Sequence, residues 1–252
     1  MNWGLVLWTV LLLGPLLWCV RQVHQGLYGL AWLLTSHETL AIYLYQILLL
    51  PGVALHEFSH YLAASLLGVR VRKISLRPNI QGEKVQMGAV VMDKPDFVRG
   101  LIIGSAPLIV GSIAVVLIGQ QIFDVSAVIE AARTSDSRGM LEAIQAAFKV
   151  NDAWIWLYLI FAISNAMLPS ASDRESLWPM VAFIAFIVGL VALAGRGPDL
   201  MNRLAEPVET ALSLLLLAFG ITLFVDVIFV GIISMLKGVF SLITGRRLEK
   251  KT

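Results

Sequence analysis

The sequence predicts an all-α membrane protein that crosses the bilayer several times. Hydrophobic residues make up 58% of the chain and charged residues only 14%, and the mean hydropathy is +0.81. This composition excludes an ordinary soluble domain. The single cysteine, Cys19, excludes an internal disulfide and a zinc site built from several cysteines. No basic stripe is interleaved with aromatic residues, so we do not expect a nucleic-acid partner.

Six apolar runs approach the length of about 20 residues that a helix needs to cross a bilayer. They lie at 3–20, 39–67, 98–119, 153–170, 178–195 and 209–236. The first run lacks a basic start and a small-x-small cleavage site, so we expect a permanent helix rather than a secretory signal. The whole chain, 1–252, is expected to form a single transmembrane domain of about six transmembrane helices.

The loop after the second run has a pattern typical of strands. Residues 69–72 and 84–87 alternate in part between apolar and polar side chains, and a turn-forming stretch at 78–82 separates them. This pattern predicts a small β-hairpin-like loop whose edge could pair with an extended peptide. A basic loop that contacts lipid headgroups remains the alternative, and both can hold.

The distribution of lysine and arginine predicts the orientation in the membrane. With six spans, thirteen of these residues lie on the side that holds both termini and the 68–97 loop, and six lie on the other side. Because cytoplasmic loops are enriched in Lys and Arg, both termini are expected in the cytoplasm. The second span then runs inward and carries its histidines in the cytoplasmic half of the bilayer.

The second run contains the sequence His-Glu-Phe-Ser-His at positions 56–60. Positions i and i+4 share one face of a helix, so the imidazoles of His56 and His60 should converge, with the carboxylate of Glu57 beside them. This set is what a hydrolytic zinc centre needs. The alternative is a pair of core histidines, but that reading does not explain a glutamate among Leu, Phe and Ala.

A catalytic zinc usually takes three protein ligands and leaves one position for water. The fourth run also points inward, and Asn165, Pro169 and Asp173 interrupt its end. Proline lacks a donor and discourages helix continuation, so we expect unwound chain here. Asp173 would then lie at the depth of the histidines. The alternative is a solvated cytoplasmic turn.

These residues resemble the site-2 protease family of intramembrane zinc metalloproteases. Its members pair H-E-x-x-H on one transmembrane helix with N-x-x-P-x-x-x-L-D-G on a later one. Asn165 and Asp173 have the family's eight-residue separation, although the proline comes one place late and Ser172 and Arg174 replace Leu and Gly. The resemblance covers about residues 40–180, and no PDZ or CBS domain is apparent.

The resemblance implies a zinc-dependent intramembrane endopeptidase. Such an enzyme hydrolyses a peptide bond in or near a transmembrane segment of a membrane-protein substrate. His56, His60 and Asp173 would bind Zn²⁺, a zinc-activated water would be the nucleophile, Glu57 would be the general base, and Asn165 would bind substrate. The alternative function is a catalytically silent membrane scaffold or chaperone of the same fold.

The expected surroundings follow from the same resemblance. The protein would be a multi-pass protein of a bacterial or archaeal plasma membrane, with the active site in the cytoplasmic half. Its partners would be a transmembrane protein substrate, the lipid bilayer and, where cleavage is controlled, a regulatory membrane partner.

One polar residue of the sixth run, Asp226, also needs a role because ionisable groups are costly within a membrane. It could support a zinc-binding histidine, or it could form a hydrogen bond with a Ser, Thr or Trp of the bundle. The sequence leaves both open.

Overall fold

The computed structural model describes residues 2–81, 84–134, 137–168 and 197–246, and it is mostly helical. The described helices are α1 (Trp3–Thr35), α2 (Glu38–Leu66), α3 (Phe97–Gln121), α4 (Val125–Arg133), α5 (Ser137–Phe148), α6 (Ala153–Met167) and α7 (Gly197–Thr244). Four short strands lie between α2 and α3: β1 (Val71–Ser75), β2 (Asn79–Gln81), β3 (Lys84–Gln86) and β4 (Ala89–Met92).

Four described helices are long and apolar enough to cross a membrane: α1, α2, α3 and the part of α7 from Arg203 to Thr244. Helices α5 and α6 meet at an angle of 95° and would add a fifth candidate if they form one broken span. The predicted count of six is not confirmed, since the run at 178–195 lies outside the described residues. The described chain therefore has four or five candidate spans.

Helix boundaries agree with the sequence where an apolar run has polar ends. The runs at 39–67 and 98–119 match α2 and α3 within two residues at each end. At the start of α3, the side chain of Asp96 accepts hydrogen bonds from two backbone N–H groups and caps the helix. The first run was predicted too short, because α1 continues to Thr35, where it is capped by Ser36 in a left-handed conformation with φ 58°.

The loop after α2 forms the predicted hairpin, but with a different pairing. Strand β1 pairs antiparallel with β4, and Val71 lies opposite Met92. Strand β3 pairs with β2 rather than with residues 69–72, and Asn79 lies opposite Gln86. Both ladders lie within one hairpin, with the β2–β3 ladder near its tip and the β1–β4 ladder at its base. Residues 84–86 therefore lie too close to the tip to pair with β1, and the apolar β4 pairs with β1 instead.

The packing of α2 determines where the histidines lie. Helix α2 packs against α3 and α6, while α1 and α7 lie side by side. Gly52 of α2 approaches α6 so closely that an added Cβ would overlap the Ala162 carbonyl group. This contact brings the end of α6 to the turn of α2 that begins at His56.

Residues 121–150 contain α4 and α5. These helices cover a cavity of about 620 Å³, lined almost entirely by apolar side chains. Ile144 and Phe148 of α5 line this cavity, whereas Leu141 of the same helix is exposed. Neither His56 nor His60 lines this cavity.

Candidate active site

His56 and His60 converge as their spacing predicts. Both lie on α2, and their ring centroids are 4.7 Å apart with the ring planes nearly perpendicular. The two Nε2 atoms face each other at 3.1 Å. His60 is buried and His56 is partly buried.

Each imidazole is oriented through its other ring nitrogen. His56 Nδ1 lies 2.6 Å from the carbonyl oxygen of Ala166 on α6. His60 Nδ1 lies 2.9 Å from the carbonyl oxygen of Ile103 on α3. A carbonyl oxygen only accepts, so Nδ1 is the donor in both rings. In the neutral imidazoles, both Nε2 atoms then carry lone pairs.

Two lone pairs directed at each other would suit the binding of one metal ion between them. Nitrogens that each lie about 2.0–2.1 Å from one zinc ion can be 3.1 Å apart. Hydrogen bonding of the remote ring nitrogen is also the usual arrangement around metal-binding histidines. The pair therefore fits two of the three protein ligands that a catalytic zinc takes.

Glu57 is buried beside the hairpin. A Cβ added at Gly88 would lie 2.6 Å from its Oε1 and 2.9 Å from its Cδ. Gly88 directly precedes β4, so the chain entering this strand passes over the carboxylate. Only a residue without a side chain fits there unless the strand or the carboxylate moves.

Asp173, the predicted third ligand, lies outside the described residues, as do Pro169, Ser172 and Arg174. Within the described ranges, no group of three or more His, Cys, Asp or Glu side chains is placed to hold a metal ion. The assignment of Asp173 therefore stays a prediction. His24, which the sequence does not place among the ligands, hydrogen-bonds Tyr45 through Nδ1.

Asn165, predicted to bind substrate, is buried next to Ala166. Its Nδ2 donates to the carbonyl oxygen of Phe161 at 2.9 Å and to Oδ1 of Asp226 at 2.7 Å. Its Oδ1 is buried and has no hydrogen-bond partner in the described structure. With both amide hydrogens engaged, Asn165 could contact a substrate only as an acceptor.

Asp226 of α7 has a hydrogen-bond partner that the sequence did not suggest. It accepts from Asn165, whereas the two alternatives were support for a histidine and a bond to Ser, Thr or Trp. The bond between Asn165 and Asp226 nevertheless lies next to the site, because Asn165 directly precedes Ala166, whose carbonyl oxygen orients His56.

Sequence reasoning missed Gln46, a buried residue on α2. Its Nε2 donates to the carbonyl oxygens of Leu76 and, at 2.7 Å, of Met87. These carbonyls flank the inner ladder of the hairpin, so Gln46 attaches the hairpin to the helix that carries the histidines. A lone amide in the apolar stretch YLYQILLL was the signal that could have indicated it.

The comparisons with known proteins extend the motif-based resemblance. No curated protein and no solved structure matches the chain significantly. Residues 23–93 match the family model described as Peptidase M50B-like. This range contains His56, Glu57, His60 and the hairpin, and it ends before Asn165 and Asp173. The Peptidase M50B-like model belongs to the site-2 protease family, so residues 23–93 are similar to that family.

Proposed function

We propose that this protein is an intramembrane zinc endopeptidase that cleaves a membrane-protein substrate in or near a transmembrane segment. The observation that carries the proposal is the 3.1 Å approach of two Nε2 atoms whose rings are both anchored through Nδ1. A core histidine pair would gain nothing from directing two acceptor nitrogens at each other.

His56, His60 and Asp173 would hold the metal. A bound zinc ion supplies Lewis acidity and lowers the pKa of a coordinated water toward neutrality. Glu57 accepts a proton from the attacking water on its carboxylate and passes it to the nitrogen of the leaving amine. Burial of Glu57 limits competing solvent around that proton transfer.

The hairpin would hold the substrate as an extended strand. A peptide bond within a helix is shielded, so the substrate must unwind before attack. Strand β4 begins one residue after Gly88, which touches Glu57, so a peptide added along the β1–β4 sheet would run close to the carboxylate. Asn165 would accept one backbone hydrogen bond from the substrate through Oδ1.

The location in the cell is part of the same proposal. The site lies on α2, which is apolar and long enough to span a bilayer. We infer from the Lys and Arg distribution that both termini are cytoplasmic and that the site lies in the cytoplasmic half of a bacterial or archaeal plasma membrane. A membrane partner would regulate access of the substrate.

The proposal is tested by comparing purified wild type with Glu57→Gln and Asp173→Asn. Zinc content is measured by mass spectrometry, and cleavage is measured on a co-expressed single-span protein. We expect Glu57→Gln to retain zinc and lose cleavage, and Asp173→Asn to lose much of both. Glu130→Gln, on the exposed face of α4, is the matched control and should behave as wild type.

Each result separates the hypotheses. Undiminished cleavage by Glu57→Gln would reject the mechanism. Full zinc content in Asp173→Asn would reject that ligand and leave the histidine pair in place. A wild-type protein that binds zinc without cleaving any single-span test protein would favour the catalytically silent scaffold.

A further inference from the structure

Pro107 lies inside α3, and the helix continues through it from Phe97 to Gln121. In an α-helix the N–H of residue i bonds the carbonyl of residue i−4. Proline has no N–H, so the carbonyl of Ile103 receives no hydrogen bond from position 107. Pro107 and Ile103 are both buried, where water cannot easily replace the missing donor.

The imidazole of His60 takes the place of that donor. Its Nδ1 lies 2.9 Å from the Ile103 carbonyl oxygen, in a buried contact between α2 and α3. A buried carbonyl without a hydrogen-bond partner is costly. The Nδ1–H of His60 supplies the donor that Pro107 lacks, and the Ile103 carbonyl supplies the acceptor that this N–H needs. The bond fixes the tautomer and turns Nε2 toward His56.

The second histidine uses a carbonyl of the same kind. Helix α6 ends at Met167, so the Ala166 carbonyl belongs to the last turn, whose carbonyls have no donor within the helix. His56 Nδ1 bonds this oxygen at 2.6 Å. Both rings are thus oriented by backbone carbonyls that their own helices leave without a donor.

We propose that Pro107 is a positioning residue for the metal site. Because Pro107 has no N–H, the Ile103 carbonyl stays available to His60 Nδ1, and this bond directs the Nε2 lone pair of His60 toward His56. This inference rests on the proposed zinc site but not on cleavage. Proline is also tolerated in membrane helices for other reasons, so the test must separate the missing N–H from the shape of the ring.

The first variant is Pro107→Ala, whose N–H competes with His60 for the Ile103 carbonyl. We expect the zinc dissociation constant to rise about 10–100-fold, the usual loss when an outer hydrogen-bond partner is removed. Pro15→Ala is the matched control, because Pro15 is an exposed proline inside α1. Its zinc dissociation constant should equal that of wild type.

The second variant replaces residue 107 with lactic acid, the α-hydroxy analogue of alanine, by nonsense suppression. The resulting ester has the small side chain of alanine but, like proline, lacks an N–H. Zinc affinity close to that of wild type is expected. An ester variant as weak as Pro107→Ala would show that ring packing, rather than the missing N–H, is responsible, and would overturn the proposal.

The tautomer of His60 can also be measured by NMR in the metal-free protein. The ¹⁵N-histidine spectrum of the apo-protein should show His60 as the Nδ1–H tautomer in wild type and as a mixture of tautomers in Pro107→Ala. An Nε2–H tautomer in wild type, or equal zinc affinity in Pro107→Ala and wild type, would refute the inference. Failure of wild type itself to bind zinc would instead reject the proposed function.

Discussion

Asn165 of α6 and Asp226 of α7 are joined by a buried hydrogen bond of 2.7 Å from Nδ2 to Oδ1. The bond ties the last turn of α6 to α7, one residue before the carbonyl that orients His56. The amide oxygen of Asn165, Oδ1, and the second carboxylate oxygen of Asp226, Oδ2, are buried and have no partner in the described part of the chain. The pair therefore holds α6 in place at the cost of two unsatisfied acceptors.

Two substitutions of Asp226 should separate the effect of its hydrogen bond on stability from the effect of its charge. Asp226→Asn keeps an oxygen that can accept from Asn165, whereas Asp226→Leu leaves one amide hydrogen without a partner. We expect Asp226→Leu to be less stable than Asp226→Asn by about 1–3 kcal/mol, the cost of a buried unsatisfied donor. The free energy of unfolding, measured by titrating mixed micelles with a denaturing detergent, checks this. Equal stability of the two variants would contradict the role assigned to the bond.

Removal of the Thr222 hydroxyl, one turn before Asp226 on α7, should not lower the free energy of unfolding. Thr222 is fully buried, and its Oγ1 has no partner among the described residues. Thr222→Val replaces this hydroxyl by a methyl group of similar size, so the free energy of unfolding should stay the same or rise. A loss of about 1 kcal/mol or more would mean that the hydroxyl has a partner such as a buried water.

Gly88→Ala should damage catalysis without removing the metal. The new Cβ would lie 2.6 Å from Glu57 Oε1, so either the carboxylate or the strand must move. We expect cleavage to fall about 100-fold, as for other misplaced catalytic groups, with zinc content unchanged. Gly231→Ala is the control, since nothing lies within 4 Å of its added Cβ. Normal cleavage by Gly88→Ala would show that the strand moves away freely.

The parts of the site that follow from local spacing were predictable. A helix places residues i and i+4 on one face, so His56 and His60 converge whatever the surrounding fold. The bounds of α2 and α3 were also predictable, because each is an apolar run with polar ends.

The contacts between distant segments could not be predicted. The bond between Asn165 and Asp226 joins residues 61 positions apart, and the bond from Gln46 to Met87 spans 41. Both depend on how helices and strands pack, which a pattern within a short window does not contain. For the same reason, alternation correctly indicated strands at 84–87 but assigned them the wrong partner.

Gln46→Leu should loosen the hairpin while leaving the metal site intact. The substitution removes the donor for the Leu76 and Met87 carbonyls and keeps an apolar side chain of similar size. Hydrogen exchange in the 71–92 segment should accelerate, and trypsin should cut faster after the exposed Arg77, with zinc affinity unchanged. Gln145→Leu, at an exposed position of α5, is the control. Unaltered exchange would mean that strand pairing alone holds the segment.

Gly52→Ala tests whether close packing of α2 and α6 is required for metal binding. The added Cβ would overlap the Ala162 carbonyl and lie 2.9 Å from the Ala166 Cβ, and both atoms belong to well-packed helices. Because backbone cannot yield as a flexible side chain does, the helices must separate, which should cost about 1–3 kcal/mol of unfolding free energy. The separation also draws the Ala166 carbonyl away from His56 Nδ1, so zinc affinity should fall with stability.

Gly14→Ala, in open space on α1, should instead gain about 0.5–1 kcal/mol from higher helix propensity. A Gly52→Ala protein that is as stable as Gly14→Ala and binds zinc normally would show that the α2–α6 contact does not position His56.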